Sequence, residues 1–119
     1  MKNIMRFIST TLLLALTSAG FACDYPTKVD MPDGMTATKE DMLSGQRNVK
    51  KFVADMDVYL DCIVAEEKES RLQAENLDPE DEQLREDLLN KKYNAAVDDM
   101  EVVAANFNVA VQSYKEREE

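Results

Sequence analysis

This chain of 119 residues contains no histidine and no tryptophan, and only three glycines, three prolines and two cysteines. Without histidine it lacks the commonest general base and the commonest metal ligand, so Ser-His-Asp triads and most zinc sites are excluded. So few glycines and prolines cannot supply the many turns of a β-sandwich or barrel, nor do they make a low-complexity chain. Basic side chains are also in short supply, with 14 Lys and Arg against 24 Asp and Glu and a formal charge of −10. That balance argues against nucleic acid as a partner, because phosphates must be neutralised by Lys and Arg. The length allows one domain at most.

What is present begins with the three parts of an export signal, residues 1–22. Lys2 and Arg6 supply a positive start, and Phe7 to Leu16 an apolar stretch of signal-peptide length. Small residues follow from Thr17 to Ala22, with Gly20 and Ala22 placed for a cut before Cys23. Cuts after Ala19 or Gly20 are chemically acceptable too. The stretch is too short to span a bilayer, and no other segment approaches about 18 apolar residues. No membrane span is therefore expected in the mature chain, and the expected location is periplasmic or secreted.

Export gives the two cysteines a meaning. In an oxidising compartment Cys23 and Cys62 can form only one intramolecular disulfide. The competing reading makes Cys23 the lipid-anchored first residue of a lipoprotein. Such a site normally has Leu three residues before the Cys, whereas Gly20, Phe21 and Ala22 stand here. Acylation would also leave Cys62 as a lone thiol. A bridge closes a loop of about 40 residues and stabilises by roughly 4 kcal/mol on chain entropy. A redox-active pair usually needs C-x-x-C spacing, so a structural role is expected.

Residues 23–37 read as an extended arm. Pro26 and Pro32 disfavour helix, Cys23, Tyr25, Val29, Met31 and Met35 alternate onto one face, and Pro32-Asp33-Gly34 is a turn signal. A helical hairpin is expected over 38–119. Its first helix, about 38–75, starts with Thr38 as N-cap and Asp41 in the capping-box position. Met42, Val49, Met56 and Ile63 form one apolar row, Phe52 and Tyr59 a second, with Val53 and Leu60 widening the stripe. After a turn at about 76–78, the second helix, about 79–117, starts with Asp78 as N-cap and Pro79 at the first helical position. Its row is Tyr93, Met100, Phe107 and Tyr114, flanked by Leu89, Ala96, Val103 and Ala110.

The two rows mirror each other about Asp78. Folding there pairs Ile63 with Tyr93, Met56 with Met100, Val49 with Phe107 and Met42 with Tyr114, and sets Leu72 against Leu84 at the tip. The expected fold is thus all-α: an antiparallel, coiled-coil-like two-helix hairpin of about 55 Å. The arm reverses near Pro32–Gly34, runs back along the hairpin, and is stapled to Cys62. There it covers apolar surface that two helices alone leave open.

Cys23-Asp24-Tyr25-Pro26, Pro32-Asp33-Gly34, Thr38-Lys39-Glu40-Asp41-Met42, Gln46 and Tyr59-Leu60-Asp61-Cys62 together resemble an uncharacterised family of small exported α-helical proteins of proteobacteria. The resemblance covers roughly residues 23–66. It implies a fold and a compartment, and no chemistry.

The residues themselves suggest little chemistry. Asp57 with Asp61, and Asp98 with Glu101, share helix faces, and the mirror register brings Asp57 toward Asp99 and Asp55 toward Glu101. A hard cation could sit across such acids, but the calcium-loop signature is absent and Lys50, Lys51, Lys91 and Lys92 lie nearby. A solvated acidic face is the simpler reading. Ser44, Ser70 and Ser113 lie outside any nucleophile elbow, and the tyrosines and methionines fall mostly on the apolar rows. No catalytic, cofactor-binding or metal residue is expected, and the protein is expected not to be an enzyme. A structural or protein-interaction module of the cell envelope, with an unknown protein partner and a possible homodimer, is the expected function. The alternatives are a periplasmic chaperone-like or sequestering protein with a Met-rich groove, and an acidic divalent-cation binder.

Overall fold

The computed structural model describes residues 23–119. The expected export signal, 1–22, lies outside the described residues. Two helices fill most of the described chain: α1 (Lys39–Gln73) and α2 (Pro79–Glu118). Both starts are fixed by side chains that satisfy the open backbone N–H groups of a first turn. Thr38 Oγ1 accepts from the Asp41 N–H at 3.1 Å, and Asp41 Oδ2 accepts from the Thr38 N–H at 2.8 Å, a reciprocal capping box. Asp78 Oδ1 accepts from the N–H groups of Glu80 and Asp81, each at 3.0 Å, and Pro79 occupies the first turn, where its missing N–H costs nothing. α1 stops at Gln73, short of the expected position, and the connection runs through Ala74–Asp78. Asn76 turns it with a φ of 57°, a left-handed conformation that Asn tolerates better than most residues.

The helices pack antiparallel along apolar stripes. One core cluster joins Phe52, Met56, Leu60 and Ile63 of α1 to Ala96 of α2, with Met100 and Val103 packed against it. A second joins Met42 to Ala110, with Phe107 and Tyr114 beside it. Met56 is fully buried and sits where the two helices and the arm converge. At the tip the link is polar: Arg85 Nη1 donates to Ser70 Oγ at 2.8 Å and lies 3.7 Å from Glu67 Oε1, which also takes Arg71 Nε at 3.0 Å.

Of the mirrored pairs, Met56 with Met100 and Met42 with Tyr114 share an apolar cluster, whereas the pairing fails at the tip. Leu72 and Leu84 do not close that end; they are 75% and 57% exposed. Tyr93 is also exposed, and Ile63 packs in the cluster that contains Ala96 and Leu89 instead. A straight helix drifts by about 20° per heptad against a seven-residue row. Near the start of α2 the row through Leu89 and Ala96 therefore faces inward, and Tyr93 has rotated to the edge. Met100, Phe107 and Tyr114, further along the same row, are half-buried and pack against the two clusters, while the buried residues of α2 are Ala96 and Ala110 of the neighbouring row.

The non-helical arm, Cys23–Ala37, lies along the hairpin antiparallel to α1. Cys23 is disulfide-bonded to Cys62, with Cα atoms 5.7 Å apart. A sulfur held in that bond cannot also carry a lipid. Val29 packs on the cluster that contains Phe52, and the ring of Pro32 lies over Gly45. Asp33 then builds the reversal: its carbonyl accepts from the N–H groups of Thr36 at 3.1 Å and Ala37 at 2.7 Å, and its Oδ1 from Met35 at 2.9 Å.

Candidate interaction surface

The arm joins both helices, and each contact has a local cause. Gly34 has no positive φ, so the turn itself does not require glycine. Its role is close approach, because a Cβ there would lie 2.0 Å from the Ala110 carbonyl oxygen and 2.9 Å from the Ser113 Cβ. Gly45 does the same on α1, where a Cβ would meet Pro32 Cγ at 2.8 Å and the Phe107 ring at 3.1 Å. The helix-weakening glycine is therefore the notch that admits the arm's proline. Arg117 closes the seam: Nη1 donates to the Met35 carbonyl at 3.0 Å, Nη2 to the Ala37 carbonyl at 2.7 Å, and the guanidinium stacks over Tyr114 at 4.9 Å. Sequence reasoning missed Arg117; its only signal was a basic residue in the last turn of a helix.

At the other end of the arm, Tyr25 stands edge-on to Tyr59, with ring centroids 4.8 Å apart. Its hydroxyl donates to Asp99 of α2, so one side chain ties the arm to both helices. Partial burial pushes the Tyr25 hydroxyl up to about 12, reinforced by the bond to Asp99 and by the negative charge of that carboxylate. Glu66 Oε2 lies 3.2 Å from Cys23 Sγ. This is a contact and not a hydrogen bond, since a disulfide sulfur carries no proton.

The carboxylates that could have converged do not form a ligand set. Among the described residues no three Asp, Glu or Cys side chains come together as metal ligands would. Asp55 is paired with Lys51, and Asp99 is engaged by Tyr25. Asp41 is held below the usual carboxylate range, first by the Thr38 hydroxyl and then by the Thr38 N–H, which is cap chemistry. The methionines divide: Met42 and Met56 are spent in the core, while Met31 and Met35 stay on the arm.

The outer surface is less uniformly polar than the charge of the chain suggests. On α1, Val58, Ala65 and Leu72 recur every seven residues and are all exposed, on the side turned away from the core rows. On α2, Leu88, Ala95, Val102 and Val109 do the same. These two rows escaped the sequence reading, which assigned one apolar stripe to the inner face of each helix and took Leu72 for a residue closing the tip. Beside the α2 row a cleft of about 360 Å³ opens between arm and helix, walled by Tyr25, Pro26, Met31 and Val102. No helix among the described residues is long and apolar enough to cross a membrane.

No family model matches the chain, and neither a curated protein nor a solved structure resembles it.

Proposed function

We propose that this protein is a non-enzymatic, exported interaction module of the cell envelope, akin to the small exported helical proteins that its first half resembles. The observation that carries the reading is the second apolar row on each helix, exposed and separate from the buried residues that join the two helices. Single exposed apolar residues need no explanation, but a row repeated at seven-residue intervals is the seam by which one helix packs on another. The Cys23–Cys62 bridge supports the export half, because such bonds persist where thiols are oxidised. It also holds the arm in place, so that the outer faces are presented by a rigid body.

A second reading, a sequestering or chaperone-like role, draws support from the cleft beside Tyr25 and Met31. It is the weaker of the two because Met42 and Met56, the adaptable side chains such a groove would use, are buried.

A photoreactive residue in place of Val58, on the outer row of α1, tests the proposal in fractionated cells. The expected result is an adduct with a different protein, formed in the envelope fraction by chains whose Cys23–Cys62 bond is intact. A chain recovered from the cytosol with both thiols free, or oxidised envelope protein giving no adduct, overturns it.

A further inference from the structure

We infer that the outer face of α2 binds a second copy of the same face, as an antiparallel pair of α2 helices related by a two-fold axis at Ala95. This deepens the interaction-module reading and rests on it by naming one occupant for one of the two faces. The row itself supplies the first argument. Leu88 and Val102 lie seven residues either side of Ala95, so a two-fold axis through Ala95 sets Leu88 of each copy on Val102 of the other. The small side chain at the axis lets the two backbones approach within ordinary helix-packing distance. The strip from Leu88 to Val102 is about 21 Å long, and every member is exposed in the single chain.

Charge supplies the second, independent argument. In an antiparallel pair, residues on one flank of the strip meet the same flank of the other copy. Lys91 and Asp98 lie on one flank of the row, Lys92 and Asp99 on the other. The axis that matches Leu88 with Val102 also brings Lys91 to Asp98 of the second copy, and Lys92 to its Asp99. Each pair occurs twice by symmetry, giving four opposite-charge contacts and no like-charge one among these residues. Within one chain the ion pairs leave Lys91, Lys92 and Asp98 without partners among the described residues. A chain of net charge −10 places two of its few cations side by side at the spacing that its own acids require. The arm lies beside this strip, where the half-exposed Tyr25 is hydrogen-bonded to Asp99.

The test uses two surface substitutions, Lys91→Glu and Asp98→Lys, in protein purified as its host processes it, with the disulfide intact. Neither residue makes a contact on which the fold depends, and circular dichroism checks that both variants stay helical. Sedimentation equilibrium of the unaltered protein should give twice the chain mass. Each variant alone faces two like-charge contacts and should dissociate at a protein concentration at least roughly tenfold higher than the unaltered protein does. A one-to-one mixture restores opposite charges at every contact and should recover the dimer as a mixed species. A monomeric unaltered protein overturns the pairing, and so does a dimer indifferent to Lys91→Glu or a mixture that fails to recover. Because the Val58 experiment reads the opposite helix and a different partner, it can succeed when this one fails.

Discussion

Gly34 sits so close to α2 that a methyl group on it would fall 2.0 Å from the carbonyl oxygen of Ala110. No rotamer change relieves that overlap, because the obstacle is helix backbone, so either the arm's turn or the helix must move. Gly34→Ala should therefore destabilise the fold by about 2–3 kcal/mol, in the range of overpacked cores. The expected result is a lower urea midpoint with an unchanged slope. An unchanged midpoint would mean that the turn does not rest on α2.

How much of this was legible beforehand follows from which forces are local. The caps at Thr38 and Asp78 are written within three residues of the helix starts, and the disulfide follows from having two cysteines. The seven-residue rows gave the hairpin. The mirror arithmetic, however, matched positions along the axis without asking which way they face. It therefore put Leu72, Leu84 and Tyr93 inside, whereas the helical phase turns them out. Gly34 and Gly45 were read as a turn residue and a weak helix residue; their use as notches depends on backbone approaching from elsewhere in the chain. Arg117 binds carbonyls some eighty residues away, and its place in the last turn of a helix gave no hint of them. The outer rows were visible in the sequence, but one stripe per helix already satisfied a hairpin.

Tyr25 makes the arm sensitive to alkali. Its pKa is raised in the folded state to about 12, so the neutral hydroxyl is favoured by folding. The stability this contributes is complete below pH about 10, the unfolded value, and is lost as pH rises through about 12. The urea midpoint should fall between about pH 9 and about pH 11.5, and it should fall less in Tyr25→Phe, which has no proton to lose there. Equal falls in the two proteins would show that Tyr25 does not link the arm to Asp99. The other tyrosines are common to both proteins and cancel in the comparison.

Two apolar residues on α1 separate core from outer row. Met56 has no exposed surface, and truncating it leaves a cavity between two helices and the arm that cannot collapse freely. Met56→Ala should cost about 2–4 kcal/mol. Val58, only two positions along, is 69% exposed, and Val58→Ala should change stability by less than about 0.5 kcal/mol. Thermal or urea unfolding of the two variants checks both. Comparable losses would mean that the outer face of α1 is already covered in the protein as purified.

Removing the disulfide tests how the arm is held. The bridge restricts an unfolded loop of about 40 residues, which on chain entropy alone is on the order of 4 kcal/mol. Yet the arm has further anchors far from Cys23: Pro32 over Gly45, Gly34 on Ala110, and the Arg117 hydrogen bonds to Met35 and Ala37. The double variant Cys23→Ser, Cys62→Ser should thus unfold about 2–4 kcal/mol more easily while keeping its native helicity. Amide exchange should quicken near Cys23 and Tyr25, where the tether is lost. It should stay slow at Ala37, whose N–H is held by the Asp33 carbonyl in the turn that Arg117 braces. Fast exchange along the whole arm would show that the disulfide alone keeps the arm on the hairpin, and that the glycine notches only accommodate it.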